Sequence, residues 1–445
     1  MSLSSRVNIR QYLAGSVLAC FVVFFLTSGI QDELSGWTGL LHKPEFPEFS
    51  QFKLLETLTP EQFPINDSNR RIIAIGDIHG MNASLQALLS ELSYNSEYDT
   101  LIHLGDIITK APVEGSLAVL SFMSSNKILG VRGNNDQKVI EWRAWMDWVL
   151  SLPGGEDWLI QMDKKWPKYH LDDELDSEEE DDLLDSTSSK SWGDRVPKGW
   201  LPLQKHYKVA RAMTHEHYEY LLSLPLVLYA PAGHTYFVHA GLLPSDPSLR
   251  PRHPNQPLSH WPSLFQVKPD ADVLRGLQEV ALLQDVPQNS DPYVVTNMRG
   301  VKNNNKITES SSKGTPWSDL WNGMMGRCAG FDALGTRDIL TPNVASFHVD
   351  YKIDKASSKA LPCYPSTVVY GHAASRGLDI KRWSVGIDSG CIYGRRLTAL
   401  VLDRGSFHSS SPVSDFVEDE SSPVHSRHIP YGDNGQARIV SIKCR

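Results

Sequence analysis

The chain has 445 residues, of which 41% are hydrophobic, so it is long enough to bury one large core or two smaller ones. The net charge of −9 does not exclude an anionic substrate, because ten carboxylates without a cation lie in the run Asp172–Asp185 and the rest of the chain is close to neutral.

The N-terminal segment has the composition of a membrane anchor. The 19 uncharged residues Tyr12–Ile30 follow Arg6 and Arg10 and precede two carboxylates. A helix of about 20 apolar residues just spans a bilayer, and positive charge before it predicts that residues 1–11 are cytoplasmic and that the main domain is lumenal or extracellular. An uncleaved single-pass anchor at 12–30 is favoured over a cleaved signal, because the run is long and lacks an A-x-A-like site.

Composition divides the rest of the chain into further parts. Residues 31–69 are rich in Pro and Phe and are interpreted as a stalk, and residues 70–404 as the main domain. Residues 154–199 contain the acidic run and are predicted to be a disordered insertion in this domain, with an acidic metal-storage loop as the alternative. Residues 405–445 show no core pattern and are interpreted as a flexible tail.

The cysteines do not form a zinc-binding pattern. Cys20 lies in the predicted anchor, whereas Cys328, Cys363, Cys391 and Cys444 would face an oxidising compartment. Their spacing leaves two interpretations open, namely buried free thiols or one structural bridge.

Short strands in the main domain repeatedly end at polar side chains. The apolar run Arg71–Ile75 ends before Asp77 and is followed by leucines at helical spacing, and Thr100–Leu104 ends before Asp106. A third run, KILGV, ends before Asn134. Open α/β folds build their sites in this way, at the carboxyl ends of strands.

Two later strand-like runs also end at metal-type side chains, in VHAG and YGHA, before a final strand in ALVL. Each residue alone is a weak signal, since a histidine after a strand is more often a core or surface residue, and GD and GN are common turns. Their order along the chain predicts a site for two divalent metals that share one carboxylate. The predicted ligands are Asp77, His79, Asp106, Asn134, His239 and His372.

The motifs GDIHG, GD, GN, VHAG and YGHA resemble those of metallophosphoesterases of the phosphoprotein-phosphatase superfamily, over about residues 71–403 without the insertion. The resemblance implies an α/β fold, a calcineurin-like αββα sandwich of two mixed sheets flanked by helices. Bacterial diadenosine tetraphosphate hydrolases and fungal zinc-dependent vacuolar endopolyphosphatases are the nearest groups. Gly371–Asp403, Thr315–Asn322 and the predicted N-terminal transmembrane helix are similar to the endopolyphosphatases in particular.

The resemblance also implies roles for individual residues. Asp77, His79 and Asp106 would bind one metal, and Asp106 would bridge to a second metal that the other predicted ligands complete. The metals would be zinc, with manganese, cobalt or iron as alternatives. Lys110 and Arg132 would act in catalysis by binding phosphate and stabilising its developing charge. For Arg132, a structural ion pair is the competing interpretation.

Other cations are candidates for contacting a polyanion, and Arg395 is included with Lys110 and Arg132 in the predicted substrate-binding set. The remaining candidates are Arg376, Lys381, Arg382 and Arg396. A solvated surface is the competing interpretation for Lys381, Arg382, Arg395 and Arg396. The interleaved aromatic residues typical of nucleic-acid binding are not evident, so no nucleic-acid partner is predicted, and Trp317 and Trp321 are interpreted as core residues.

Three positions depart from the family pattern. In the related protein phosphatases, an Asp in the second motif orients the His of Gly-Asn-His, which protonates the leaving alkoxide; Thr109 and Asn135 stand at those positions here. Ala373 follows His372 where relatives often carry Asp, which leaves the group that orients His372 unassigned. Loss of both acid-dyad residues favours phosphoanhydride substrates, because a phosphate leaving group with a second pKa of about 6 needs less protonation than an alkoxide.

The expected function is therefore metal-dependent hydrolysis of phosphoanhydride bonds, with internal cleavage of inorganic polyphosphate in the vacuole lumen as the first choice. Three alternatives stay open. They are a dinucleoside polyphosphate hydrolase, a serine/threonine protein phosphatase, and a catalytically silent, membrane-tethered protein that binds phosphate.

Overall fold

The computed structural model describes residues 46–165, 194–250, 253–260, 270–331, 360–408 and 424–445. The chain divides into two units, one of Met1–Glu48 with Leu150–Pro202 and the other of Phe49–Val149 with Leu203–Arg445. The predicted anchor at 12–30 and the acidic run Asp172–Asp185 lie outside the described residues. Within the described ranges, no helix is both long enough and apolar enough to cross a bilayer.

The strands of the larger unit are β1 (Lys53–Thr57), β2 (Arg71–Ile75), β3 (Asp99–His103), β4 (Leu129–Gly130), β5 (Pro225–Ala230), β6 (Thr235–Val238), β7 (Gly300–Val301), β8 (Ile307–Thr308), β9 (Thr315–Pro316), β10 (Thr367–Tyr370), β11 (Asp379–Lys381), β12 (Ser384–Gly386), β13 (Arg396–Leu402), β14 (Val424–Tyr431) and β15 (Gly435–Lys443).

The helices are α1 (Asn82–Glu91), α2 (Val113–Ser125), α3 (Asn134–Leu150), α4 (Gly155–Lys165), α5 (Lys205–Ala212), α6 (His215–Ser223), α7 (Ala271–Gln284), α8 (Pro292–Asn297), α9 (Trp317–Met325) and α10 (Gly405–His408). Single 3₁₀ turns occur at Pro231–Gly233, Pro287–Asn289 and Cys391–Tyr393.

The strands form two six-stranded mixed sheets, in the orders β1-β5-β6-β10-β12-β11 and β14-β15-β13-β2-β3-β4, and a three-stranded sheet in the order β8-β7-β9. Pairing is parallel for β1 with β5, for β6 with β10 and β10 with β12, and for β2 with β3 and β3 with β4. Antiparallel pairing joins β13 to β2 and β15. This agrees with the predicted α/β fold of two mixed sheets.

The two large sheets share a core because successive side chains on a strand point to opposite faces. In β6, Phe237 packs with Ile102 and Leu400 of the second sheet, whereas its neighbours Tyr236 and Val238 pack with the helices α7 to α9 on the outer face. Helix α1 lies against β13 and β15 on the other side of the molecule. Helices therefore flank both sheets, as the resemblance implies.

Trp317 and Trp321 of α9 belong to the helix-covered core. Their side chains are 1% and 0% exposed, and the Trp317 ring lies 4.6 Å from that of Tyr370. Their predicted role in core packing is confirmed.

The predicted stalk is wrong for the described residues that follow Phe49. Strand β1 pairs in parallel with β5 at the edge of the first sheet, and Leu58 and Phe63 are buried in the core between the sheets. The main domain therefore begins about twenty residues before the predicted boundary at residue 70. The apolar pattern does not reveal this strand, because β1 lies at the edge of the sheet and none of its five side chains is fully buried.

The predicted flexible tail is also wrong where the structure describes it. Strands β14 and β15 form an antiparallel hairpin, and β15 pairs with β13 at the middle of the second sheet. Ala399–Leu402 is thus part of β13, an interior strand and not the final one. Residues 155–165, predicted as the start of a disordered insertion, form helix α4.

Cysteines form two disulfides, Cys328–Cys363 and Cys391–Cys444. The expectation of free thiols or a single bridge is therefore wrong. The second bridge connects the 3₁₀ turn before β13 to the chain terminus after β15, and it closes the hairpin onto the sheet.

Candidate metal centre

All six predicted metal ligands lie together at the carboxyl ends of strands. Asp77 and His79 follow β2, Asp106 follows β3, and Asn134 begins helix α3 after β4. The two remaining histidines follow β6 and β10 of the other sheet. The chain therefore brings the six residues together from both sheets.

Two groups of ligand atoms meet at one carboxylate. In each of the groups Asp77, His79, Asp106 and Asp106, His239, His372, the ligand atoms lie within 4.8 Å of one another. Asn134 Oδ1 joins the second group at 3.1 Å from His239 Nε2. Asp106 is shared by both groups, as expected for a carboxylate between two metal ions. These donors, imidazole nitrogen with carboxylate and amide oxygen, suit zinc and manganese.

The three imidazoles are oriented by backbone carbonyls. His79 Nδ1 is 3.4 Å from Ile108 O, His239 Nδ1 is 2.7 Å from Leu104 O, and His372 Nε2 is 3.1 Å from the carbonyl of Asn297. Because a carbonyl only accepts, each of these nitrogens carries the proton, and the other ring nitrogen keeps a free lone pair. The Asn297 carbonyl thus fills the role left unassigned by Ala373.

The unprotonated nitrogens of two of these imidazoles face each other, as they would around a bound cation. His372 Nδ1 and His239 Nε2 are 3.2 Å apart and neither has a proton to share, so a cation between them would stabilise the arrangement. The Lys110 ammonium already lies 3.0 Å from His79 Nε2. Burial lowers the pKa of His79 to about 4 and that of His372 well below its usual range, so both rings are neutral, as ligands must be.

Carboxylates at the site repel each other. Burial, then Asp388 and Asp106, raise the pKa of Asp77 well above its usual range. Divalent cations would remove this repulsion and keep the carboxylates ionised. The donor set, the imidazole orientations and the crowded negative charge therefore all fit a pair of metal ions.

The backbone is strained at these turns. His79, Asp106 and His372 have φ angles of 51°, 50° and 65°, in the left-handed region that non-glycine residues rarely adopt. Such strain concentrates at functional sites. Two neighbouring glycines are needed for close approach, because a Cβ at Gly133 or at Gly371 would lie 2.2 Å from a carboxylate oxygen of Asp106 or Asp77.

Comparisons with known proteins agree with this geometry. Residues 70–241 match the family model described as calcineurin-like phosphoesterase. The matched segment contains five of the six ligands, from Asp77 to His239.

The segment from residue 70 to residue 241 thus belongs to the calcineurin-like metallophosphoesterase family.

Its relatives carry different names. The chain is 32% identical over 93 residues to serine/threonine-protein phosphatase 1 of Salmonella typhimurium, covering 21% of this chain and 42% of that protein. It is 32% identical over 112 residues to a symmetrical bis(5'-nucleosyl)-tetraphosphatase of Pectobacterium carotovorum, covering 23% and 39%. The chain thus spans about two fifths of these relatives' length. A solved structure described as a candidate diadenosine tetraphosphatase is 22% identical, covers 79% of this chain and 94% of its own, and has a TM-score of 0.40.

This metallophosphoesterase holds its bridging carboxylate by a dense set of hydrogen bonds. Asn135 donates to Asp106 twice, from its backbone N–H to Oδ1 at 2.8 Å and from Nδ2 to Oδ2 at 2.6 Å. Asp136, which sequence reasoning missed, accepts from the backbone N–H groups of Asp106, Ile107 and Gly133 at 2.8, 3.1 and 2.9 Å. The final Asp of GNND thereby ties the second motif to the third.

The structure contradicts the predicted phosphate contact of Arg132. This side chain is 0% exposed and does not line the cavity above the metal ligands. Its guanidinium donates to the carbonyls of Gln51 and Leu222 and to Gln137 Oε1. Neither a catalytic nor a substrate-binding role fits such a group, so Arg132 is structural, as the competing interpretation held, although its partners are neutral oxygens.

A cavity of about 530 Å³ opens above the ligands. Four of its lining residues, Lys110, Arg299, Tyr393 and Arg395, are here named the rim. Lys110 Nζ and Arg395 Cζ lie 5.9 and 5.7 Å from the centroid of the Tyr393 ring. Two of the predicted substrate-binding residues, Lys110 and Arg395, therefore line the cavity.

Arg299 is a rim cation that sequence reasoning missed. Its guanidinium donates to the His372 carbonyl at 3.0 Å and to the Glu309 carbonyl at 2.9 Å, and so connects a metal ligand to the segment after β8. Arg376 donates to the Arg299 carbonyl at 2.6 Å and does not itself line the cavity. No local motif marks Arg299, because its neighbours in space come from elsewhere in the chain.

The other candidate cations do not belong to the cavity lining. Lys381 pairs with Asp379 and Asp319, and Arg396 donates to the carbonyl of Ser441. Arg382 lies over the Trp383 ring. Sequence reasoning also missed two residues near the ligands, Asp388 in the cavity wall and His206, which contacts Asn135.

Proposed function

We propose that this metallophosphoesterase hydrolyses phosphoanhydride bonds and that its substrate is inorganic polyphosphate, cut internally in the vacuole lumen with zinc as the metal. The observation that carries this proposal is the environment of Asn135. An amide lines the cavity where the family resemblance implies an acidic imidazole, and it is committed to Asp106 and His206. The site therefore lacks a proton donor in the position that ester hydrolysis requires.

The missing acid matters according to the leaving group. An alkoxide leaves poorly unless it is protonated, and general acid catalysis contributes about 10²–10⁴-fold. A phosphate released from an anhydride leaves as an anion, since its second pKa is about 6. Burial lowers the pKa of His206 to about 4, so this ring is neutral near pH 7 and does not replace the missing acid.

In the proposed reaction, different residues contribute to different parts of catalysis. Bound divalent ions would supply Lewis acidity at the phosphoryl oxygens and lower the pKa of water. Lys110 and Arg299 present cationic groups to the cavity and stabilise charge that develops on the phosphoryl group. Arg395 also lines the cavity and offers a further cation to the phosphates of a chain.

A three-substrate assay tests the proposal. The purified full chain is supplied in turn with zinc, manganese or cobalt and is offered long-chain polyphosphate, diadenosine tetraphosphate and a phosphopeptide, with Asp106→Asn as the inactive control. We expect polyphosphate to be cleaved fastest and to give chains of intermediate length on a gel before free phosphate accumulates. Elemental analysis of the protein as isolated should find zinc.

Each other outcome points to one alternative. Turnover of the phosphopeptide alone would contradict the leaving-group argument and support a serine/threonine phosphatase. Free phosphate released without intermediate lengths would contradict internal cleavage. If no substrate is cleaved while Asp106→Asn abolishes metal binding, the chain is a catalytically silent phosphate-binding protein.

A second candidate, a dinucleoside polyphosphate hydrolase, is favoured by Tyr393. This ring is 62% exposed at the rim, beside two cations, and a nucleobase stacks well on such a surface. The name of the Pectobacterium relative points in the same direction. Replacing Tyr393 by Leu separates the candidates: a rise in KM for diadenosine tetraphosphate alone would support base stacking. An unchanged ratio of the two substrates would support polyphosphate.

The lumenal location is supported by the sequence of residues 1–33 and by the two disulfides, which persist in oxidising compartments. It can be tested on sealed vesicles from cells that express the full chain with a C-terminal epitope. We expect the epitope to resist added protease until detergent is present. Digestion in intact vesicles would place the domain on the cytoplasmic side and contradict the location.

A further inference from the structure

Helix α5 brings His206, from a distant part of the sequence, into contact with Asn135. His206 Nε2 lies 2.9 Å from Asn135 Oδ1. The other end of the same amide, Nδ2, lies 2.6 Å from Asp106 Oδ2. His206, Asn135 and Asp106 thus form a continuous chain of hydrogen bonds that ends at the carboxylate shared by both ligand groups.

The direction of these hydrogen bonds follows from the chemistry of the groups. A carboxylate only accepts, so the amide must turn its Nδ2 toward Asp106 and its Oδ1 toward His206. The amide oxygen in turn only accepts, so His206 Nε2 must carry a proton. The orientation of Asn135 is therefore fixed from one side by Asp106 and from the other by His206.

We propose that His206 is a positioning residue, which holds the Asn135 amide so that Asn135 in turn holds Asp106 in the orientation that bridges two metals. The proposal rests on the proposed dinuclear centre. It gives a neutral imidazole one task, to donate a hydrogen bond through Nε2. A lysine there would add a charge that competes with the metals for Asp106, whereas an imidazole that burial keeps neutral does not.

Two isosteric substitutions separate this task from packing. Gln places an N–H donor about where His206 Nε2 lies, and Met has a similar length but no donor. The measurements are the affinity of the full chain for manganese by calorimetry, kcat and KM on polyphosphate, and the melting temperature of the metal-free protein. His217→Met is the matched control, since His217 contacts Ser121 and none of the ligands.

We expect His206→Met to weaken metal binding about 10–100-fold, the usual effect of removing a group that orients a ligand. His206→Gln should retain the affinity of the original protein, and His217→Met should change only the melting temperature. The loss in His206→Met should appear in kcat more than in KM, because His206 does not line the cavity.

A double variant tests whether the effect passes through Asn135. Asn135→Ala alone should weaken metal binding as much as His206→Met does, and combining the two should add little. If the losses add fully, or if Gln and Met weaken binding equally, the proposal is overturned. Asn135→Ala also tests the proposal if His206→Met does not fold. Wild-type metal affinity in Asn135→Ala would show that His206 does not act on Asp106 through Asn135.

Failure of this proposal is distinguishable from failure of the proposed function. Metal affinity is measured without substrate. The predicted ranking of the variants by metal affinity can therefore hold even if the chain cleaves only phosphopeptides. Conversely, polyphosphate cleavage with equal metal affinity in all variants would leave the function intact and remove the role of His206.

Discussion

The six metal ligands, here named the floor, differ from the rim in how their side chains are held. The five histidine and aspartate ligands are at most 7% exposed, and they follow strands of two sheets that pack on a common core. Tyr393 of the rim is 62% exposed, Arg299 lies between α8 and β7, and Arg395 lies between a 3₁₀ turn and β13. The ligands that directly follow strands are thus held at strand ends, whereas the rim residues lie in connecting segments.

The largest effect should follow a change at the centre of the floor. Asp106→Asn removes a charge that both ligand groups share while keeping the size of the side chain. We expect activity to fall about 10³-fold or more, equivalent to roughly 4 kcal/mol, and bound metal to be lost. Elemental analysis and polyphosphate hydrolysis measure this. Asp272→Asn, at an exposed position of α7, is the control, and full metal content in Asp106→Asn would contradict the shared-carboxylate assignment.

Arg132, a buried cation that does not line the cavity, should affect stability rather than catalysis. Arg132→Met leaves the carbonyls of Gln51 and Leu222 without a partner, and we expect the free energy of unfolding to fall by about 3 kcal/mol. Arg143→Met, which breaks a partly exposed ion pair on helix α3, should cost less than about 1 kcal/mol. Denaturant unfolding measures both. A raised KM in folded Arg132→Met would restore its predicted substrate contact.

A cation of the rim should show the opposite behaviour. Lys110→Met removes a positive group from the cavity, and we expect kcat/KM to fall about 10²-fold with little change in the melting temperature. Lys110→Arg keeps the charge and should recover most of the activity. Equal losses in both variants would show that the exact length of Lys110 matters, through its contact with His79, more than its charge.

The floor could be predicted from the sequence because its signals are local. Each ligand follows a short apolar run directly, so a strand and its terminal side chain can be recognised without knowledge of the rest of the chain. The same reasoning failed for Arg132, two residues before Asn134, because its direction depends on Gln51 and Leu222, which no local pattern connects to it.

The parts that sequence reasoning missed depend on distant partners. β14 and β15 are recognisable as part of the sheet only once β13 pairs with them. His206 reaches Asn135 across 71 positions, and Arg299 reaches His372 across 73. A single sequence carries no signal for such pairings. Asp77 and Asp106, in contrast, can be recognised from the apolar runs that directly precede them.

The smallest effect should come from Arg395, an exposed cation of the rim, and it tests whether the rim contacts a long polyanion. Arg395 is exposed, so salt screens its charge and one contact is worth at most about 1 kcal/mol. We expect Arg395→Met to raise KM for long-chain polyphosphate about threefold at low salt, and the difference to vanish at high salt. If Arg395 contacts only the further phosphates of a long chain, short polyphosphate should be unaffected. Arg404→Met, at an exposed position outside the cavity lining, should have no effect at any salt concentration. An equal change in KM for short and long chains would mean that Arg395 contacts the phosphates at the metal ligands. Arg395 would then belong with the floor and not with the rim.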